Sequence, residues 1–309
     1  MKHVWRSWPG RIGVVLVSIL VLGALVSLVW TPYDPTRVVP RDKWLPVSWA
    51  HPFGTDGAGK DLLSQVLVGA RTTLVVALAS VVIAAVLGLS LGILSAITPR
   101  YVGESLAHLI DVLIALPTLI LALVFLAALG GSIWTVSLAI GLGSAAVLAR
   151  VVRAEVSRVL TNDYILTAAA SGSSTYRTVW RHVIPNIAPT VIVQLSLFAA
   201  LAVLAEAALS YLGLTQVSTP SWGRMLGTLQ ETMTVEPRAV VFPGLAVLAA
   251  TLGFNLLGDG LRDAVDPRLR GRAASVSPTF SSVVDGVDDP ALVALPAAPD
   301  VRPMDIEVP

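Results

Sequence analysis

Residues Gly54-Thr55-Asp56-Gly57-Ala58-Gly59-Lys60 have the G-x-x-x-x-G-K spacing with which a loop of backbone amides cradles phosphate. Such a loop needs a Ser or Thr next, whose hydroxyl reaches Mg²⁺. This chain has Asp61 there, and its charge repels phosphate. A β-strand should also lead into the loop, and His51-Pro52-Phe53 is a poor strand end. The segment reads instead as a Gly-rich turn leading into an amphipathic helix, Lys60–Arg71. H-E-x-x-H is absent, and the four histidines are scattered at positions 3, 51, 108 and 182. With no cysteine, a disulfide framework, a thiolate metal site and a Cys nucleophile are excluded. The remaining groups of interest are ionisable or polar residues at the ends of apolar runs. These are Glu206 with Ser210 one turn on, and Asn255 with Asp259, followed by Arg262 and Asp263.

The elements that must hold these groups are set by composition. The chain has 309 residues, 55% hydrophobic and 13% charged, against about 25% charged in a soluble domain. Mean hydropathy is +0.77. A nucleic-acid-binding or disordered chain is excluded. The formal net charge of +1 divides into −5 over residues 273–309 and +6 over residues 1–272.

A membrane-spanning helix needs about 20 apolar residues. Ile12–Trp30, Leu74–Ile97, Val112–Leu129, Ile133–Ala149, Ile187–Ala205 and Ala239–Gly258 are such runs. Gly130-Gly131-Ser132 divides the third from the fourth. Within hydrocarbon these must be helices, because lipid-facing strands leave backbone groups unpaired. The sequence therefore predicts an all-α integral membrane protein with six transmembrane helices. The first run follows Lys2, Arg6 and Arg11 as a signal peptide would. Its 19 residues exceed the usual signal core and no A-x-A site follows, so it reads as an uncleaved anchor. With the N-terminus inside, the inner segments hold 14 Lys+Arg and the outer segments 7, which places both termini in the cytoplasm. Residues 273–309, with six prolines, read as a disordered tail.

The inner segment between the fourth and fifth spans is the most informative. A short helix over Tyr164–Ser171 contains the small residues Ala168, Ala169 and Ala170, which allow a partner to approach closely, and Gly172 can end it. A second amphipathic stretch follows, with Arg177 and Arg181 beside Val179, Val183 and Ile184, and Pro185 marks entry into the fifth span. Spacing alone leaves two readings open, a headgroup-lying surface helix and a docking site for another protein. Pro117, Gly141 and Gly143 read as packing residues, and Glu155 as an ion-pair partner of nearby arginines.

Thr167-Ala168-Ala169, then Gly172, then Ile184-Pro185 resemble the "EAA" loop of ABC-importer permeases. His51-Pro-Phe-Gly-Thr-Asp56, Gly59-Lys-Asp-Leu-Leu-Ser64 and Gly69-Ala-Arg71 are similar to the first outer segment of C-type permease subunits of dipeptide/oligopeptide importers. So are Ala205-Glu206 through Leu214, Pro220-Ser-Trp-Gly223, and Pro243-Gly-Leu245 through Asp266-Pro-Arg268. The resemblance runs from about residue 10 to 270. Two positions depart from it: the family usually has Arg where this chain has Ala169, and Leu where it has Ser171.

The resemblance implies a type I ABC importer permease fold with a cytoplasmic coupling helix, in a prokaryotic inner or plasma membrane. It divides the chain into an anchor and outer segment (1–73), a transmembrane domain (74–272) and a tail (273–309). The implied partners are a second homologous permease, two cytoplasmic ATPase subunits, an extracytoplasmic binding protein and the bilayer, with no nucleic acid. The chain itself would bind no cofactor or metal and catalyse nothing; ATP and Mg²⁺ would sit on the ATPases. The resemblance assigns the coupling loop to Tyr164, Thr167, Ala168, Ala169, Gly172, Arg177, Arg181 and Pro185. Glu206, Ser210, Asn255 and Asp259 are the candidates for pathway or permease interface. Peptide is the expected cargo, with nickel complexes, glutathione or haem-like compounds as alternatives within the family. A secondary transporter would need charges at mid-membrane, and an intramembrane enzyme a catalytic dyad within the spans; neither pattern is visible.

Overall fold

The computed structural model describes residues 7–165, 173–215 and 220–265. Helix α1 (Trp8–Val29) is capped by Ser7, whose side chain accepts from the Gly10 amide. A loop with one 3₁₀ turn, Pro40–Asp42, leads to α2 (Leu62–Ile97). Helices α3 (Arg100–Ala115) and α4 (Thr118–Leu129) follow, then α5 (Ile133–Leu160). Helix α6 (Thr175–Tyr211) passes through a π-helical turn, Val179–Val183. The short α7 (Trp222–Gln230) and α8 (Arg238–Val265) complete the bundle. Among the described residues, β structure is limited to one isolated bridge, Thr55 with Asp61.

Five helices, α1, α2, α5, α6 and α8, are each long and apolar enough to cross a membrane. The third expected span, Val112–Leu129, is not one helix. It is split between α3 and α4, which meet at 84°. The cause is Pro117, which has no amide to donate and forces the preceding residue out of the helical region. Leu116 is extended at φ −83, ψ 116. The 12 residues of α4 measure about 18 Å at 1.5 Å per residue, too short to cross the hydrocarbon alone. The separation of the third and fourth runs is as expected: Gly130 ends α4 with φ +84, and the Ser132 side chain caps α5 by accepting from the Thr135 amide.

The separate interface helix expected over Lys60–Arg71 is instead the first part of the 36-residue α2. Nothing in that stretch interrupts the helix. Arg71 reaches across to α1, donating from Nε to Ser27 Oγ at 3.4 Å and from Nη2 to the Ser27 carbonyl. It thereby satisfies a carbonyl in the last turn of α1, where intrahelical partners run out. Pro185 likewise lies within a helix that has already begun at Thr175.

α2 packs most extensively on α5, and α8 on α1 and α6. Gly141 and Gly143 do shape this packing. A Cβ on Gly141 would lie 2.7 Å from Ile83, and one on Gly143 would lie 2.8 Å from Thr118. Large apolar side chains such as Ile19 and Leu22 of α1, and Ile120 and Val124 of α4, remain exposed, as lipid- or partner-facing residues would be.

Candidate functional site

The Gly54–Lys60 turn is filled by the chain's own carboxylate. Asp56 Oδ1 accepts from the amides of Ala58 at 2.8 Å and Lys60 at 2.9 Å, and Oδ2 accepts from Gln65 Nε2 at 3.0 Å. The amides that a phosphate would need already have an anion. Asp61 caps α2. Its Oδ2 accepts from the Ser64 amide (2.8 Å) and Ser64 Oγ (2.7 Å), and its Oδ1 from His51 Nδ1 (2.9 Å). Tyr33 stacks on His51 with ring centroids 4.6 Å apart, and its amide donates to Ser64 Oγ at 3.0 Å. The aspartate that disqualifies the phosphate motif is thus the N-cap, the position where Asp is among the preferred residues.

At the same end of the bundle, Glu206 is buried at 2% exposure between α2, α6 and α7. Its Oε1 accepts from Ser210 Oγ at 2.6 Å and its Oε2 from Thr73 Oγ1 at 3.5 Å. Ser210 Oγ also lies 3.0 Å from Thr215 Oγ1. Helix α7 is seated beside this cluster. Trp222 Nε1 donates to the Val66 carbonyl at 2.8 Å, and Thr72 Oγ1 to the Pro220 carbonyl at 2.9 Å. Two glycines permit the approach: a Cβ on Gly69 would lie 2.5 Å from the Trp222 ring, and one on Gly223 would lie 2.1 Å from the Ala207 carbonyl oxygen. Ala205–Leu214 and Pro220–Gly223 therefore form one seat with the start of α2, which is distant from them in sequence.

At the opposite end, α5 closes with Asn162, whose Nδ2 donates to the carbonyls of Arg158 (3.2 Å) and Val159 (3.0 Å). Asp163, Tyr164 and Ile165 are helical. Ile165 is buried in one apolar cluster with Val152, Val156 and Val159 of α5 and Val183, Ile187 and Val191 of α6. Tyr164 Oη accepts from Asn186 Nδ2 at 3.2 Å, and its ring is 6.2 Å from that of His182. Ile165, His182 and Asn186 carried no signal of this role in the sequence. The segment is thus fastened to the base of α6 by one apolar and one polar contact. Thr167, Ala168, Ala169 and Gly172 lie outside the described residues.

Arg177, Arg181 and Pro185 are exposed, as are Tyr176 and Trp180, whose rings are 6.2 Å apart. The π-helical turn immediately precedes Pro185, whose missing amide breaks the regular ladder there. Glu155 pairs with Arg158 at 2.6 Å. On α8, Asn255 is half-buried and Asp259, Arg262 and Asp263 are exposed. Asn255 makes no side-chain hydrogen bond to another described residue. Glu206 and Ser210 share one site, while Asn255 and Asp259 lie on a different helix.

Five helices long and apolar enough to cross a membrane, with one bent pair besides, give the chain the architecture of a multi-pass membrane protein. Residues 84–271 match the family described as binding-protein-dependent transport system inner membrane component. The chain is 36% identical to the di/tripeptide transport system permease protein DppC of Pseudomonas aeruginosa (strain UCBPP-PA14), with 88% of this chain and 94% of that one covered. It is 32% identical to the dipeptide transport system permease protein DppC of Alkalihalophilus pseudofirmus, covering 87% and 89%. Its fold is similar to a chain of the MetNI methionine ABC transporter solved in inward facing conformations. The TM-score is 0.55 at 16% identity, covering 65% of this chain and 97% of that one. The chain belongs to the binding-protein-dependent permease family of ABC transporters. Membership makes it an inner-membrane component that works with ATPase and substrate-binding partners.

Proposed function

We propose that the chain forms half of the translocation pathway of an ATP-driven importer of di- and oligopeptides. A second homologous permease would complete the pathway, with two ATPases beneath and an extracytoplasmic binding protein above. The observation that carries the cargo is the identity to two peptide permeases across nearly nine-tenths of the chain. Reconstitution with the cognate binding protein tests it: ATP-dependent uptake of a labelled di- or tripeptide is expected. Uptake of a nickel complex, glutathione or haem in its place would overturn the peptide assignment while leaving the importer intact.

Both termini face the cytoplasm in this reading, supported by the bias of Lys and Arg toward the inner segments. Cysteine is absent from the chain, so Trp49→Cys, at a fully exposed tip, gives a single label site. A membrane-impermeant maleimide should reach it from outside. The division at residues 73 and 272 is retained as part of the proposal, with the last segment as a dispensable tail. Deleting Ser275–Pro309 should leave assembly and transport near wild type.

Coupling would run through Tyr164, Thr167, Ala168, Ala169, Gly172, Arg177, Arg181 and Pro185. The burial of Ile165 between α5 and α6 supports this, because force applied to the segment reaches two spans. Gly172→Val should insert normally yet lose ATPase recruitment or uncouple hydrolysis from uptake, as should a bulky charge at Ala168. Wild-type recruitment, stimulation and uptake in both variants would remove the loop from this role. Asn255 and Asp259 offer side chains to the pathway or the partner permease. Glu206 and Ser210 would serve it from behind, by fixing α7.

A further inference from the structure

We propose that a cleft between residues 35–60 and α7 receives an acidic side chain of the extracytoplasmic binding protein, held by Lys60 and Arg224. This rests on the importer reading above, with this end of the bundle facing outward. The cleft has a volume of about 350 Å³, room for two or three side chains. Lys60 and Arg224 both line it, and neither makes an ion pair with a described residue. Asp56 lines the same cleft, but its oxygens are held by two amides and Gln65. Asp61, the next residue, is held by His51 and Ser64, so Lys60 pairs with neither of these carboxylates.

Arg224 is pre-positioned. Its Nη2 donates to the Thr215 carbonyl at 2.6 Å, while its buried Nε has no partner among the described residues. A guanidinium already fixed by one hydrogen bond loses little freedom when it takes a carboxylate. Glu231 also lines the cleft and is exposed. A docking segment with an acid next to a base is thus favoured over a purely anionic one. The location separates partner from cargo. The cleft is built from the loop after α1, the first turn of α2 (Leu62 and Gln65) and α7, at one end of the bundle, whereas a translocation path runs among spans. The family's dependence on a binding protein supplies a protein that must meet this face.

The test uses the complete importer in nanodiscs with its binding protein, reading ATP hydrolysis against binding-protein concentration. Lys60→Glu should raise the half-saturating concentration about five- to tenfold, replacing an attraction by a repulsion, with the saturated rate unchanged. Arg224→Gln should raise it too, and the difference from wild type should shrink at high salt. An acid-to-lysine change on the binding protein's permease-facing surface should restore the Lys60→Glu complex. Half-saturation within twofold of wild type in Lys60→Glu would overturn the proposal, as would a lowered saturated rate at unchanged half-saturation. Either result leaves the importer reading standing. A wild-type complex that no binding protein stimulates would overturn both.

Discussion

Replacing Asp61 by Ser completes the phosphate-loop consensus, and the structure predicts that this creates no nucleotide site. The amides of Ala58 and Lys60 that would face a phosphate donate to Asp56. Hydrogen bonds to a charged group are worth about 1.5–3 kcal/mol each. Displacing both costs about 3–6 kcal/mol, which weakens any affinity by roughly 10²–10⁴-fold. Stability should change differently. Ser is as good an N-cap as Asp, so the cap on α2 survives. His51 Nδ1, however, loses its buried carboxylate acceptor, at about 1–3 kcal/mol. Asp61→Ala loses the cap as well, for about 1 kcal/mol more. Thermal unfolding of the purified permease should therefore rank wild type above Asp61→Ser above Asp61→Ala. Fluorescent ATP-analogue titration should detect no binding in any of them. Sub-millimolar ATP binding by Asp61→Ser would refute the reasoning, because it would require the Asp56 carboxylate to yield its amides.

Gly223→Val places a Cβ 2.1 Å from the Ala207 carbonyl oxygen, and backbone cannot yield as a side chain can; the melting temperature in detergent should fall by the equivalent of about 1–3 kcal/mol or more. Tyr164→Phe removes the hydrogen bond from Asn186, about 0.5–1.5 kcal/mol, and Ile165→Ala opens a buried site at about 2–5 kcal/mol. The second should loosen the ratio of peptide uptake to ATP hydrolysis far more than the first. In the loop after α1, the Thr36 hydroxyl and then its amide hold the Asp34 carboxyl below its ordinary range. A depressed carboxyl contributes stability that is present at neutral pH and lost as pH falls through its folded value. Thr36→Val should raise the pH at which this carboxyl titrates by carbon NMR.

Uncharged runs were enough to find α1, α5, α6 and α8, because length and hydropathy alone decide whether a helix can cross. The same criterion gave Val112–Leu129 as one helix, where the structure has a bent pair. Its composition suits a span, but Leu116-Pro117 bends the chain, and composition carries no direction. The first turns of α2 misled for the opposite reason. Ser64, Gln65, Arg71, Thr72 and Thr73 look like an interface helix, yet Ser64 and Thr73 are fully buried. Their partners are Asp61 and Tyr33 on one side and Glu206 on the other, contacts that span up to 133 residues in sequence. Asp61 excluded a phosphate site from its type alone. Its service as a helix cap needed only its place before Leu62-Leu63. The proposed coupling segment rests on a motif, but Ile165 and Asn186, which hold its first described residues, belong to no spacing rule.

The 36 residues of α2 make an unbroken rod about 54 Å long, well beyond the roughly 30 Å of hydrocarbon. One end carries the Asp61 cap and the seat of α7. The other lies against Leu148 and Val152 of α5, near the cluster that buries Ile165. A rod of that length pivoting by about 10° about its middle sweeps its ends about 5 Å in opposite directions. Under the coupling proposed above, a displacement beside Ile165 that tilted this rod would arrive beneath Trp222 with its sign reversed, and α2 would serve as a single lever between the two faces of the membrane.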